Sequence, residues 1–231
     1  MFDDPTQRTA DGGVRLDTVR VPLSVYYALQ APETPPAPGE ARILVALHGW
    51  GQNSRRFIRD FLPLRSQPLY VICPQGPHQF YLDPGSRRVG FNWLTVYDRQ
   101  RAIEDVNALI GTILEQVVAD HGLQEAPVYV MGFSQGVSMA SRYAVRHREH
   151  IAGLISVCAD LAPDVEALLP TVRPFPVLLC RGEDDPVFTS EKVDAAVAGY
   201  GGAGYPVEHF EYPGGHEMTA DLVTKLRDWI V

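Results

Sequence analysis

Six short apolar runs punctuate the chain: Ile43–Leu47, Leu69–Cys73, Val128–Met131, Gly153–Cys158, Val177–Cys180 and Val207–Tyr212. Each is rich in β-branched or aromatic residues and ends in a turn containing Gly or Pro. Runs that stay apolar, rather than alternating, mark strands buried on both faces, as in a parallel sheet covered by helices. Helical spacing fills the gaps. Ile103, Val106, Ile110, Ile113, Leu114 and Val117 form one stripe, with Gly122 where a C-terminal cap would stand. After Ser134, the small residues Gly136, Ala140 and Ala144 recur every four positions, a face able to approach a sheet closely. Met218, Leu222, Leu226 and Trp229 form a third stripe. Upstream, Val19 to Leu29 alternates and predicts one or two N-terminal strands within residues 1–30, followed by a Pro-rich surface loop over 31–39. Strands alternating with helices predict an α/β fold: one domain over 1–231, with a mostly parallel, doubly wound sheet, helices on both faces and no large cap domain. Ligands of such sheets bind beyond the carboxyl ends of the strands.

Composition narrows the function classes. A chain of 231 residues buries about 70% of the surface its unfolded form exposes, enough to fold without disulfides or metals. The formal net charge, 20 − 28 = −8, argues against nucleic-acid partners, which are usually met by a basic patch. No apolar run approaches a membrane span. Cys73, Cys158 and Cys180 are odd in number, lack a Cys-x-x-Cys pair and lie in apolar runs. They read as reduced, buried thiols, and with the acidic start Met1-Phe2-Asp3-Asp4, unlike a signal peptide, they predict a cytoplasmic protein.

Gly132-Phe133-Ser134-Gln135-Gly136 joins the Val128–Met131 run to the small-residue helix. Strand, tight turn and helix make the context of a nucleophile elbow, with Ser134 in a strained turn beside the free N–H groups of a helix start. A serine hydroxyl needs a base. His209 falls inside the last strand, while His121, His147 and His150 fall at helix C-termini; His147 and His150 have no evident third ligand to make a metal site. His216 suits the role: its segment, Tyr212-Pro213-Gly214-Gly215-His216-Glu217, follows the last strand and opens the last helix. The base in turn needs a carboxylate. Both Asp160 and Asp185 lie between Ser134 and His216 in chain order, and Pro186 slightly favours Asp185 by pre-setting a turn. Two N–H donors for an oxyanion come from Gln135, immediately after the serine, and from Trp50 in His48-Gly49-Trp50-Gly51, after the first buried strand.

These segments resemble the phospholipase/carboxylesterase family of α/β-hydrolases, which includes acyl-protein thioesterases and small bacterial carboxylesterases. The resemblance is carried by Leu47-His48-Gly49-Trp50-Gly51, Gly132-Phe133-Ser134-Gln135-Gly136, Gly182-x-x-Asp185-Pro186-Val187 and Gly215-His216, from about residue 40 to the C-terminus. It implies the α/β-hydrolase fold and sets the family's nucleophile, acid and base on Ser134, Asp185 and His216. Arg181 departs from the pattern, standing where many members have histidine, and a second proline after Val187 is missing. The 75–97 segment, long for a βα connection, carries Phe80, Tyr81, Phe91, Trp93 and Tyr97. Phe91-Asn92-Trp93 is similar to a family segment that walls the acyl pocket, so Phe91, Trp93 and Tyr81 are expected at the substrate. Arg87 and Arg88 either attract an anionic substrate or form a solvated pair, the latter being the simpler reading.

The resulting expectation is a serine hydrolase that cleaves small-molecule carboxylic esters or thioesters through an acyl-enzyme, with no cofactor and no metal. Peptidase or depolymerase activity on the same scaffold, and a non-catalytic ligand-binding role, are the competing readings. Acyl chain length and oligomeric state are not legible at this level.

Overall fold

A computed structural model describes residues 17–83 and 85–231 of the chain. The acidic start at Met1–Asp4, and the part of the N-terminal strand region before residue 17, lie outside the described residues. The elements follow in order β1 (Tyr27–Gln30), β2 (Arg42–Leu47), α1 (Ser54–Phe57), a 3-10 segment (Ile58–Leu64), β3 (Leu69–Pro74), β4 (His78–Asp83), β5 (Arg88–Asn92) and α2 (Arg99–His121). They continue with β6 (Val128–Phe133), α3 (Gln135–Arg146), β7 (Ile151–Val157), α4 (Pro163–Glu166), β8 (Val177–Gly182), α5 (Ser190–Gly202), β9 (Val207–Tyr212) and α6 (Ala220–Ile230). Seven strands form one sheet in the order β1-β3-β2-β6-β7-β8-β9. All neighbours are parallel except β1, which runs antiparallel on the edge of β3.

Five of the six apolar runs are buried on both faces, as their lack of alternation predicts, whereas the sixth, β9 at the end of the sheet, exposes Glu208, His209 and Glu211. Along β2, Ile43, Val45 and Leu47 pack into one core with α2, α3 and α5, whereas Leu44 and Ala46 pack into the other with Phe57, Phe61, Leu222 and Leu226. Strand order reverses at β2: the chain moves outward to β3, then returns to β6 on the other side. The carboxyl ends of β2 and β6 therefore diverge over a crevice, where ligands of open α/β sheets bind.

Two expectations change. Residues 17–26 form no strand; their alternation lies across α2, with Arg101 Nη1 donating to Thr18 Oγ1 at 3.1 Å, so no sheet edge pairs with them. The segment after β3 is not an open loop but contains the β4–β5 hairpin, antiparallel with a register shift between Tyr81 and Asp83. Its alternation is short and interrupted by Pro84-Gly85, which hides a hairpin among turn residues.

α3 approaches the sheet closely because two glycines permit it. A Cβ on Gly136 would lie 2.1 Å from the Leu47 carbonyl oxygen, and one on Gly132 would lie 2.2 Å from the Val137 nitrogen. Neither backbone neighbour can yield locally. Gly136→Ala is therefore expected to cost about 2–4 kcal/mol, read as a lower midpoint in urea unfolding. A midpoint unchanged within error would mean that α3 slides outward at little cost.

Candidate active site

Ser134 sits between β6 and α3 at φ 52°, ψ −121°, a left-handed conformation rare for a residue with a Cβ. The neighbours impose it: the Ser134 N–H donates to Val157 O at 2.9 Å, and Ser134 O accepts from the Val137 N–H at 3.0 Å. Its Oγ makes no hydrogen bond among the described residues, and no side-chain bond caps the helix. The hydroxyl therefore stands at the crevice beside a free helix start.

Asp185 and His216 are brought together from loops after β8 and β9. His216 Nδ1 lies 2.8 Å from Asp185 Oδ2, and the acid's side chain is fully buried. Its other oxygen, Oδ1, accepts from the Val187 N–H at 2.8 Å and the Phe188 N–H at 3.0 Å. Burial pushes the carboxyl up, but those two N–H groups, with Cys158 and His216, outweigh it and hold the pKa below its ordinary value. The two loops are tied by Glu183 N–H to Tyr212 O and Asp184 N–H to Gly214 O, both 2.9 Å. Arg181 reinforces the acid's turn, donating to Glu183 O at 2.9 Å and Phe188 O at 2.7 Å while pairing with Glu211 at 2.8 Å. The position that departs from the family pattern thus staples the loop carrying Asp185. The other acid, Asp160, is exposed and pairs with Lys192 at 3.3 Å, away from His216.

The link back to the serine runs through Phe133, whose ring lies 5.2 Å from the His216 ring. Across the crevice, the loop after β2 is held from several sides. Gln52 Oε1 accepts from the Gly49 N–H at 2.7 Å, and the Gly51 N–H donates to Phe91 O at 2.9 Å. His48 is buried, its Nε2 accepting from the Gly76 N–H at 3.0 Å and its Nδ1 donating to Gly49 O at 2.8 Å. Burial lowers its pKa to about 4, so it is a neutral strut. No partner for the N–H groups of Trp50 or Gln135 is found among the described residues.

Trp93 stands elsewhere than expected. It is 0% exposed and offers a ligand no surface; its indole N–H donates to His48 O at 2.7 Å. The Gln135 side chain fixes the same segment, accepting from the Trp93 N–H and donating to Leu94 O, both at 3.1 Å. Phe91 is half-buried beside Gly51, whereas Tyr81 is exposed. The exposed ring of Trp50 packs on Phe80 at 4.9 Å. Backbone-to-side-chain bonds spanning some 40 positions have no local signal, which is why these struts escaped sequence reasoning.

Cys158 was legible only as a buried thiol. It follows β7 at φ 57°, its Sγ 3.1 Å from Tyr212 Oη, and Tyr212 donates to Glu217 O at 2.9 Å, next to His216. Its sulfur, an Asp185 oxygen and a His216 nitrogen all lie within 4.8 Å of one another, a spacing that three metal ligands can adopt. Burial pushes the thiol up to about 12, however, and the acid and imidazole are already bonded to each other. As it stands, the cluster is a hydrogen-bonded support under Asp185. All three cysteines are buried and unpaired, and among the described residues no helix is long and apolar enough to cross a membrane.

The family model for Phospholipase/Carboxylesterase matches residues 30–231. A protein of Nocardia uniformis subsp. tsuyamanensis named as an esterase, NocK, is 38% identical over 71 residues, 31% of this chain; the match spans only 20% of that protein's length. Among solved structures, esterase PE8 superposes with a TM-score of 0.70 at 23% identity, covering 90% of this chain and 100% of its own. Zea mays acyl-protein thioesterase 2 gives 0.66 at 17% identity (88% and 96%), and the Bacillus cereus carboxylesterase gives 0.63 at 16% (89% and 93%). Such identities speak for the fold, while the family model spans the crevice and every loop that builds it. The chain belongs to the phospholipase/carboxylesterase family of α/β-hydrolases.

Proposed function

We propose that the protein is a serine hydrolase that cleaves small carboxylic esters or thioesters through an acyl-enzyme intermediate. The observation that carries this reading is the pairing of His216 with the buried Asp185, 2.8 Å apart, at the carboxyl ends of the strands that also present the strained Ser134. His216 takes the proton from Ser134 as its oxygen attacks the acyl carbon. Asp185 holds Nδ1–H, leaving Nε2 as the basic nitrogen, and stabilises the imidazolium that forms. The unpartnered N–H groups of Trp50 and Gln135 receive the charge on the carbonyl oxygen. The alcohol or thiol leaves with the proton from His216, and water then reverses the steps to release the acid. Ser134 Oγ has no hydrogen bond among the described residues, and its bond to His216 forms with substrate bound, as catalytic hydrogen bonds often tighten only in the complex.

The exposed aromatic rim of Trp50 and Tyr81, with the edge of Phe91, offers the acyl chain a surface. Trp93 contributes by positioning the loop that holds Trp50. The chain works as one domain, and the unpaired thiols suit a reducing cytoplasm.

Labelling with a fluorophosphonate probe, alongside p-nitrophenyl esters of graded chain length, tests the reading. Wild type is expected to label and turn over, and Ser134→Ala to do neither. Folded wild-type protein that resists the probe and leaves every ester intact would overturn it.

A further inference from the structure

Beside the loop after β2 lies a cavity of about 460 Å³, bordered by Gly51, Gln52, Asn53, Arg56, Phe57 and Arg88. Its polar chemistry is one-sided. Gln52 Oε1 is taken by the Gly49 N–H at 2.7 Å, and Asn53 Oδ1 by the Arg56 N–H at 3.0 Å. An N–H can be answered only by the amide oxygen, so both orientations are fixed and each side chain has its NH₂ group left to offer. Arg56 and Arg88 have no ion-pair partner among the described residues. Two guanidinium groups and two amide donors therefore border one space.

Arg56 and Arg88 border this space in a chain of net charge −8. One acid, Asp60, also borders the cavity, and burial pushes its carboxyl up. A cationic spot on an acidic protein is a local reversal of field, and such reversals select anions. The cavity also adjoins the reacting centre. Gly51 follows Trp50, and Phe57 in the cavity wall packs 6.3 Å from Phe133, the ring that contacts His216. Leu82 and Val89 add apolar surface for a methylene spacer.

We propose that this cavity is a subsite for an anionic group, carboxylate or phosphate, carried by the ester substrate and recognised by Arg56, Arg88, Gln52 and Asn53. The inference rests on ester hydrolysis at Ser134. Guanidinium forks match both anions in geometry, and the amide donors fill the remaining lone pairs. The site thus favours esters whose anion stands a few bonds from the scissile carbonyl, on the acyl or the leaving-group side.

Two matched pairs of esters test it and separate those sides. Mono-p-nitrophenyl glutarate is compared with its methyl-capped diester, and 4-acetoxybenzoate with 4-acetoxybenzamide. In at least one pair the anionic ester is expected to have the higher kcat/KM at low ionic strength, by about five- to tenfold and mainly through KM, with the advantage fading as salt is added. Arg56→Gln and Arg88→Gln should each lower that ratio by about two- to fivefold, and Asp60→Asn should raise it. A ratio at or below one in both pairs, or a ratio indifferent to both arginine substitutions, overturns the proposal. Calorimetry on Ser134→Ala with glutarate and with inorganic phosphate reads the subsite without turnover. Saturable binding that weakens when both arginines are also replaced by glutamine supports it, even if no ester is cleaved and the catalytic reading falls. Absence of binding to either anion, with the esters uncleaved, removes the subsite as well.

Discussion

Replacing Ser134 by alanine is expected to lower kcat by on the order of 10⁶-fold, the loss seen when a serine hydrolase is stripped of its nucleophile. The residue that remains keeps its Cβ, so the backbone strain at φ 52° stays and stability should hardly move. Replacement by glycine should be equally inactive but more stable. A left-handed residue with a Cβ stores about 1–3 kcal/mol, and glycine returns about 0.5–1 kcal/mol of that through the extra freedom of the unfolded chain. The net gain of about 1 kcal/mol corresponds to a Tm rise of about 2–4 °C for a chain of this size. Paired kinetics and thermal unfolding of Ser134→Ala and Ser134→Gly check this. Residual turnover of a tenth or more in either variant would remove Ser134 from the chemistry, and a glycine variant no more stable than alanine would mean that the turn carries no strain.

The parts of this arrangement that could be read from sequence are those in which one segment suffices. The strand–elbow–helix around Ser134 is continuous, its apolar run announces a strand buried on both faces, and its glycines announce the close approach of α3. The loops after β8 and β9 were also legible, because a Gly- and Asp-rich turn after a buried strand has few other uses. Which acid meets His216 was harder. Asp160 and Asp185 both follow strands in the right order, and the difference lies in two backbone N–H groups, from Val187 and Phe188, that reach one carboxylate and not the other. The supports were hidden for a related reason. Trp93 to His48, Gln135 to Trp93 and Cys158 to Tyr212 join residues 45, 42 and 54 positions apart, and each side chain has a more ordinary local reading as a core or loop residue. Residues 17–26 failed in the opposite sense. Their alternation is a strand signal, yet β1 has already taken the edge of β3, and residues 17–26 lie against α2 instead of adding outside β1.

Asp185→Asn carries the second large effect, and its cause can be followed atom by atom. Oδ1 of Asp185 receives two backbone N–H groups, so in asparagine the oxygen must take that place. The NH₂ group is then forced onto the Oδ2 position, 2.8 Å from His216 Nδ1, where it can only donate. His216 must accept there, which moves its own proton to Nε2, the nitrogen that should receive the serine proton. The base is blocked without any change of shape, and kcat should fall by on the order of 10⁴-fold. Asp160→Asn removes only an exposed pair with Lys192 and should leave kcat within about twofold. The reverse ranking would move the acid to the strand before. The substitution also has a pH signature in stability. Because its donors hold the Asp185 carboxyl below the unperturbed value of 3.8, the ionised acid stabilises the fold above about pH 4, and that contribution is lost as pH falls through the lowered pKa. Asparagine cannot titrate, so the gap in stability between wild type and Asp185→Asn should narrow as the solution is acidified below pH 4. A gap that stays constant to the onset of acid unfolding would mean that the buried carboxyl is not held ionised by its donors.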